Sequence, residues 1–381
     1  MKPLEGHLVL DFSLFLAGPL CALRLADLGA RVIKIERPDG GDLCRSLYIS
    51  PTDIDGDSTL FHAINRNKQS FAANLKDPAQ LQQVRRLIER ADVMITNFRP
   101  GVMKRLGLDY DSVRSINPRL VYGSISGYGD TGPWAERPGQ DLLAQALSGL
   151  MWLSGDRDEA NTPVPIGVSI ADTLAGHFLA QGILACLVRR GKTGTGGLVE
   201  TSLLEAALDF QFELLSTHLN DGRRPPVRSS IGNGNAYLGA PYGVYATKDG
   251  WLAVAMNPMP KLAPLLGLPE LAGATKADCF DRRDEIKRQI AQRLRAHTTA
   301  HWLSILEPAD IWAAEVLDWP KLIEHEAFKV LNWTRDLPRT GGGSMLSCRC
   351  PVRIDGQIME NAVRAPRIGE HAAELRREFG L

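Results

Sequence analysis

Residues 8–36 read LVLDFSLFLAGPLCALRLADLGARVIKIE, and this stretch decides the fold. Residues 8–12 and 31–36 are mainly apolar runs of strand length. Between them, residues 17–29 place apolar side chains at helical spacing, with Pro19 tolerated in the first turn and Gly29 at the end. The stretch therefore predicts a strand–helix–strand unit, and repetition of such units gives a parallel sheet.

The same alternation continues along the first half of the chain. Asp77 is predicted to cap a helix over 78–91, and strands are predicted over 92–98 and 119–127. Long helices are predicted over 138–155 and 168–190, and residues 198–219 begin as a strand and continue as a helix. This order predicts an α/β fold whose large domain is a Rossmann-like open parallel sheet covered by helices.

The pattern changes after residues 221–235, which are rich in Gly, Pro, Ser and Arg. Residues 241–256 form two alternating runs around Asp249-Gly250, which is typical of a hairpin. Helices are predicted at roughly 281–296 and 299–306, and residues 365–381 predict one terminal helix. The mixed region predicts a second, smaller α+β domain.

Composition argues against several kinds of partner. The 381 residues include 44 basic and 44 acidic ones, so no global charge attracts nucleic acid or an anionic membrane. The longest apolar stretch, Leu174 to Val188, is interrupted by His177 and Gln181 and is too short to span a bilayer. The first residues lack a signal pattern, and six scattered cysteines suit reduced thiols. We therefore expect a cytoplasmic protein with neither nucleic-acid nor membrane partners.

Three stretches resemble cofactor or metal motifs but lack required residues. The first strand–helix turn contains only Gly18 and lacks the G-x-G-x-x-G of dinucleotide-binding proteins. RRGKTGTGG (189–197) has Cys186 where a P-loop needs its first glycine, so it predicts a helix-to-strand turn. His297 and His301 lack the glutamate of zinc peptidases and are expected on the surface. We expect no metal site and no permanently bound cofactor.

Basic residues follow or flank several predicted strands, near the sheet edge where open parallel sheets bind ligands. Convergence of such cations would suit a ligand with several phosphates, although ordinary solvated loop charge is the alternative. The residues are Arg37, Arg66, Lys68, Arg99, Lys104 and Arg105.

Asp172 follows a Pro-rich loop and lies at the start of a very apolar helix. A carboxylate in the first turn is stabilised by unpaired N–H groups and by the helix dipole. From this pattern alone, Asp172 is either a capping residue or a functional carboxylate.

An ordered series of segments resembles the class III CoA-transferase family, also called CaiB/BaiF-like, over nearly the whole chain. The series opens with LVLDFSLFLAGPLCALRLADLGARVIKIERP and continues with NRNKQSFAANLKDP and ADVMITNFRPGVMKRLGLDYDSVRSINPRLVYGSISGYGDTGP. IADTLAGHFLAQGILACL, PYGVYATKDGWLAVA and RAPRIGEH complete it. The resemblance implies a discontinuous large domain at 1–220 and 316–381, a small domain at 221–315, and a homodimer of interlocked chains.

The resemblance also implies roles for individual residues. Asp172 corresponds to the catalytic aspartate, and substrate or loop positions fall on Gln140, Gly232, Asn233 and Gly234. Some relatives carry a longer run of glycines in that loop, so its closure over Asp172 is open. The CoA-binding positions implied are Leu16, Ala17, Arg37, Ala73, Asn74, Leu75, Lys76, Asn97, Phe98, Arg99 and Arg105.

The function implied is acyl-CoA:carboxylate CoA transfer through aspartyl anhydride and aspartyl-CoA thioester intermediates on Asp172. An acyl-CoA and a free carboxylic acid are the expected partners, with coenzyme A as a substrate rather than a resident cofactor. One alternative is an α-methylacyl-CoA racemase, which needs a histidine where Gly139-Gln140-Asp141 has glutamine. A CoA-binding protein without chemistry is the other alternative.

Overall fold

The computed structural model describes residues 2–381. Its strands are β1 Leu8–Asp11, β2 Arg31–Glu36, β3 Asp53–Ile54, β4 Asp57–Ser58, β5 Lys68–Ala72, β6 Val93–Thr96, β7 Val121–Ser126, β8 Gly197–Ser202, β9 Gly243–Ala246, β10 Trp251–Val254, β11 Ala313–Glu315, β12 Thr334–Pro338, β13 Ser344–Cys348, β14 Arg353–Ile354 and β15 Gln357–Ile358.

Helices fill most of the intervals between these strands. They are α1 Ala17–Asp27, α2 Thr59–Asn65, α3 Pro78–Arg90, α4 Val102–Leu106, α5 Tyr110–Ile116, α6 Asp141–Ser148, α7 Ile170–Thr193, α8 Leu203–Asp209, α9 Phe212–Asn220, α10 Met259–Leu265, α11 Lys276–Asp281, α12 Arg283–Leu294, α13 Thr299–Leu306, α14 Trp319–Glu324, α15 Glu326–Leu331 and α16 Ala372–Phe379. Short 3₁₀ turns occur at Leu43–Ser46, Leu150–Trp152 and Pro269–Leu271.

Six parallel strands form the main sheet, in the order β5-β2-β1-β6-β7-β8. This is the Rossmann strand order, so the predicted mixed α/β fold with an open parallel sheet is confirmed. The strand order reverses direction beside β1, whose neighbours are β2 and β6. Ligands of open parallel sheets bind at such a reversal, outside the carboxyl ends of the strands.

Contacts divide the chain into two compact units. The first consists of Met1–Ala144, Ser169–Phe210 and Asn332–Leu381, and it holds the six-stranded sheet. The second consists of Gln145–Val168 and Gln211–Leu331. Its antiparallel sheet β11-β10-β9 contains the predicted hairpin, because Trp251 pairs with Ala246 across the turn.

Helix α7 is 24 residues long, and it is long and apolar enough to cross a membrane by length and composition alone. The helix is longer than the apolar stretch at residues 174–188, which was predicted to be too short to span a bilayer. Its buried apolar side chains belong to the core on one face of the sheet, with α1 and α8, which is the setting of a core helix. These side chains are Ala171, Ala175, Leu179, Ala180, Ile183 and Cys186.

Three predicted helices differ from the structure for local reasons. The helix predicted over 138–155 stops at Ser148, because Gly149 adopts a φ of +83° and a 3₁₀ turn follows. The helical part of 198–219 is split into α8 and α9. The terminal helix begins only at Ala372, since the N–H of Gly369 donates to Ser70 Oγ and Gly369 has a φ of +65°.

Gly176 permits the close approach of α7 to α1. A Cβ at this position would lie 2.6 Å from the carbonyl oxygen of Ala17, which is backbone and cannot swing aside. Gly191 lies in the same helix, and a Cβ there would meet nothing within 4 Å. Substitution of alanine at the two positions therefore distinguishes the effect of helix packing, present only at Gly176, from that of helix propensity, present at both.

We predict that Gly176→Ala lowers the free energy of unfolding by about 1–3 kcal/mol, because the added methyl forces α1 and α7 apart. Gly191→Ala should be neutral or stabilise by up to about 1 kcal/mol, since alanine is the better helix former. Urea unfolding of both variants measures the difference. Equal effects in the two variants would contradict a packing role for Gly176.

Candidate active site

A cavity of about 550 Å³ lies in the first unit at the carboxyl edge of the sheet. Residues that directly follow β2, β5 and β6 line it, together with residues of α4. Phe12, Leu14 and Ile35 supply apolar walls. The cavity therefore lies beside the strand-order reversal, where the fold predicts a ligand.

Seven of the residues predicted to bind CoA line this cavity. They are Arg37, Ala73, Asn74, Leu75, Lys76, Phe98 and Arg105. The other four, Leu16, Ala17, Asn97 and Arg99, are not among the lining residues. Ala17 is buried at the start of α1, and Arg99 is exposed. The CoA contacts themselves stay a prediction.

The predicted cluster of cations is only partly present. Arg37 and Arg105 are exposed and line the cavity. Arg66 instead donates two hydrogen bonds to Asp27, of 2.5 and 3.0 Å, and Lys68 donates to Asp11 at 2.8 Å. Both cations are buried in internal ion pairs, so neither of the two alternatives, a ligand contact or solvated loop charge, describes them. Their carboxylate partners lie on α1 and β1, and sequence proximity to a strand did not reveal them.

Asp172 lies in the first turn of α7, and the N-cap residue Ser169 makes no side-chain capping bond. Asp141, the first residue of α6, caps this helix instead. Its Oδ1 accepts hydrogen bonds from the N–H groups of Ala171 at 2.7 Å and Asp172 at 3.2 Å. Asp141 is buried, so two carboxylates share one helix N-terminus.

Burial raises the pKa of Asp172 from its usual value to about 7, and the charge of Asp141 adds to the rise. A helix N-terminus ordinarily lowers the pKa of a first-turn carboxyl group. Here Asp141 accepts hydrogen bonds from two of the N–H groups at this helix N-terminus. Its negative charge also disfavours a second negative charge on the neighbouring Asp172. Asp172 is thus a partly exposed carboxyl group that titrates near neutral pH.

Sequence reasoning named Gly139-Gln140-Asp141 only as a triplet and did not identify Asp141 as a cap. The triplet lies against the end of β7, because a Cβ on Gly127 would be 2.7 Å from Gly139 Cα. Gln140 is exposed, and its carbonyl accepts from the N–H of Ala144 at 3.0 Å. The placement of the triplet depends on this close approach of Gly127 and Gly139, and the two glycines are the sequence feature that could have indicated it.

His177 is one turn beyond Asp172 on α7, and both of its ring nitrogens have neighbours. Nδ1 lies 2.7 Å from the carbonyl oxygen of Thr173, which assigns the proton to Nδ1. Arg24 Nε then donates to Nε2 at 3.3 Å. A histidine held in this way between α1 and α7 is not directed at a substrate as a base.

The predicted substrate loop, Gly232, Asn233 and Gly234, belongs to the second unit and is fastened within it. Asn233 Oδ1 accepts from the N–H of Ser229 at 3.0 Å, and its Nδ2 donates to the Leu153 carbonyl at 3.2 Å. The N–H of Asn233 donates to Asp156 at 2.5 Å, so this group is already engaged.

The loop is also held by a buried lysine. Lys287 Nζ donates to the carbonyl of Gly232 at 3.0 Å, and burial lowers the pKa of Lys287 to about 8. Closure of the loop over Asp172 stays a prediction.

Comparison with known proteins identifies the family. The family model described as CoA-transferase family III matches residues 4–372. The chain belongs to CoA-transferase family III.

Similar curated proteins carry CoA-transferase names. The chain is 36% identical to the succinyl-CoA:glutarate CoA-transferase of Mus musculus, over 99% of this chain and 86% of the relative. It is 34% identical to the acetyl-CoA:oxalate CoA-transferase of Acetobacter aceti, over 99% and 96%. A crystal structure of a CaiB/BaiF family protein from Brucella suis aligns with a TM-score of 0.85 and 32% identity, covering 99% of both chains.

The raised pKa of Asp172 predicts how stability depends on pH. A protonated Asp172 stabilises the folded state relative to an ionised one. This contribution to the free energy of unfolding is fully present below pH 3.8 and is lost as the pH rises through about 7. We predict that Asp172→Asn raises the free energy of unfolding by about 1–3 kcal/mol at pH 8, because each pKa unit is worth about 1.4 kcal/mol and partial exposure reduces the sum. The gain should disappear near pH 4.

Urea unfolding at pH 4 and pH 8 measures this difference. The exposed carboxylate of Asp281 offers a control, and Asp281→Asn reports the effect of removing a surface charge. In an Asp141→Asn background the gain from Asp172→Asn should shrink, since one source of the raised pKa is gone. A gain of equal size at both pH values would contradict the proposed ionisation.

Proposed function

We propose that this chain is an acyl-CoA:carboxylate CoA-transferase in which Asp172 is the nucleophile. Family membership supports CoA transfer, and the geometry of Asp172 supports its role. The observation that carries the proposal is a partly exposed carboxyl group at the head of α7 with a pKa raised to about 7. A more basic carboxylate is a better nucleophile, and this one still ionises near neutral pH.

The proposed reaction proceeds by exchange of acyl groups without net proton transfer. The ionised carboxylate of Asp172 attacks the thioester carbonyl, and the C–S bond breaks to release CoA thiolate and leave a mixed anhydride. The thiolate then attacks the aspartyl carbonyl, which releases the donor acid and forms an aspartyl-CoA thioester. An incoming carboxylate repeats the two steps in reverse and leaves as the new acyl-CoA.

The N–H groups nearest Asp172 are not available to stabilise an oxyanion in this reaction. Those of Ala171 and Asp172 donate to Asp141, so they hold the helix terminus rather than an oxyanion. Oxyanion donors must come from other groups, and the substrate loop is the candidate that the resemblance offers.

The proposed acceptor is a short dicarboxylic acid. The relatives named for succinyl-CoA with glutarate and for acetyl-CoA with oxalate support this class. The proposed partners are therefore an acyl-CoA and a small diacid, and CoA enters and leaves as a substrate. The resemblance further supports an interlocked homodimer with a large domain at 1–220 and 316–381 and a small domain at 221–315, and the scattered cysteines support a cytoplasmic protein.

A racemase would need two groups that exchange protons on opposite faces of the α-carbon. Gln140 stands where a racemase has histidine, and an amide has no accessible change of protonation. His177, the nearby substitute, is held by Thr173 and Arg24. These observations favour CoA transfer over racemisation.

We predict that Asp172→Ala abolishes CoA transfer but leaves CoA affinity within about twofold, because the cavity residues are untouched. Wild-type protein incubated with an acyl-CoA donor should carry CoA on Asp172, and hydroxylamine should convert that residue to the hydroxamate. Peptide mass spectrometry locates the modification. Transfer at the wild-type rate by Asp172→Ala would refute the covalent route.

We predict that Arg37→Ala and Arg105→Ala each weaken CoA binding by roughly 10- to 150-fold, since a hydrogen bond to a charged group is worth about 1.5–3 kcal/mol. Isothermal titration calorimetry measures the change, which should shrink with dephospho-CoA or added salt. Lys104→Ala is the matched control, because Lys104 is an exposed cation on α4 that does not line the cavity. Equal losses in all three variants would indicate a general charge effect.

A further inference from the structure

The turn between β1 and α1 is held by side chains from other parts of the chain. The N–H of Ser13 donates to Asp11 Oδ1 at 3.0 Å, and the carbonyl of Ser13 accepts from Lys34 Nζ at 2.9 Å. The N–H of Phe15 donates to Asp42 Oδ1 at 3.1 Å. Backbone groups of this turn are thus paired with specific side chains although the turn lacks a glycine-rich sequence.

Asn97, directly after β6, holds the residue in the middle of this turn by both ends of its amide. The N–H of Leu14 donates to Asn97 Oδ1 at 2.8 Å, and Asn97 Nδ2 donates to the Leu14 carbonyl at 2.7 Å. This two-point contact fixes the orientation of the Leu14 backbone in the way a neighbouring strand would. The amide of Asn97 is therefore engaged within the protein.

Leu14 lines the cavity at the sheet edge, whereas Asn97 is not among its lining residues. Phe98, the next residue after Asn97, lines the same cavity. Asn97 thus connects two walls, one from the turn after β1 and one from the segment after β6. A shift of the Leu14 peptide would move an apolar wall relative to Phe98.

The turn is also confined sterically and conformationally. A Cβ at Gly18 would lie 2.2 Å from Ser13 Cβ and 3.5 Å from Asn97 Cγ, so the start of α1 closes on the turn. Phe15 adopts a φ of +63°, a conformation that disfavours non-glycine residues and needs outside support. Buried Asp42 and Lys34 provide part of that support, and they pair with each other at 2.7 Å.

We propose that the side chain of Asn97 is a positioning group that sets the Leu14 wall of the CoA cavity rather than a CoA contact. The proposal rests on the assignment of this cavity to coenzyme A. It concerns the side-chain amide alone, and the CoA contact that the resemblance implies for the residue stays a prediction. It predicts that changes at Asn97 act on CoA affinity only through Leu14.

The first test compares Asn97→Leu with the wild-type chain. Hydrogen exchange, read by mass spectrometry of peptides that cover residues 13–16, should be faster in the variant without any ligand present. CoA binding measured by calorimetry should weaken by about tenfold, because the Leu14 wall is no longer held in position against CoA. The KM for the acceptor acid and kcat at saturating acyl-CoA should stay within about twofold.

A second variant guards against failure of Asn97→Leu to fold. Asn97→Asp removes the donor at high pH, but a protonated carboxyl group offers one acceptor and one donor, as the amide does. The ratio of its CoA Kd to that of the wild type should therefore decrease as the pH is lowered from 8 to 4, because an aspartyl carboxyl group ordinarily has a pKa of about 3.9. Asp11, Lys34 and Asp42 surround the turn in both proteins, so they affect the ratio only through the ionisation of the carboxyl group introduced at position 97. Asn220→Asp, on the exposed end of α9, should show a ratio near one throughout.

A double-mutant cycle separates positioning from direct contact. In a Leu14→Ala background, Asn97→Leu should weaken CoA binding by less than it does alone, because the wall it positions is gone. Additive losses together with unchanged exchange at residues 13–16 would mean that Asn97 touches CoA directly and would overturn the proposal. A wild-type chain that binds no CoA would overturn the proposed function as well, and this proposal with it.

Discussion

Lys34 is a fully buried cation at the carboxyl edge of the sheet, and the turns around the cavity depend on it. Its Nζ lies 2.7 Å from Asp42 and 3.9 Å from Asp11, and it donates to the Ser13 carbonyl at 2.9 Å. Burial alone would lower its pKa, but Asp11, Asp42 and Glu36 together outweigh that effect and hold the pKa above its usual value. Removal of one member of a buried ion pair costs about 3–5 kcal/mol, because the remaining charge is left without a partner.

The sequence could predict the sheet but not this network. Residues 31–36 were predicted as a strand and form β2 with the same bounds, because a short apolar run beside a helical pattern is a local signal. The partners of Arg66 and Lys68 are 39 and 57 residues away, at Asp27 and Asp11. A charge beside a strand was compatible with a ligand contact or with solvated loop charge, whereas the fold pairs these two charges internally. Only the three-dimensional arrangement distinguishes the two cases.

The candidate site was predictable to a similar degree. Residues after β2, β5 and β6 were expected to meet because parallel strands present their carboxyl ends at one edge, and seven of the eleven predicted CoA positions do line the cavity. Asp172 was correctly expected at a helix start. Its capping by Asp141 was not expected, since that contact spans 31 residues and joins α6 to α7. A helix N-terminus ordinarily lowers the pKa of a carboxyl group in the first turn, whereas the pKa of Asp172 is raised.

This reversal bears on the proposed chemistry. A carboxyl group with a pKa of 3.8 is far less basic than the thiolate that it must displace, since a thiol has a pKa of about 8.5. A pKa of about 7 for Asp172 narrows that gap and makes formation of the anhydride less unfavourable. The cost is that a smaller fraction of the molecules carries the ionised form near neutral pH than at an ordinary aspartate. Burial makes the largest contribution to this raised pKa, and the charge of Asp141 adds to it. Asp141 also accepts hydrogen bonds from the N–H groups of Ala171 and Asp172, which would otherwise stabilise an ionised Asp172.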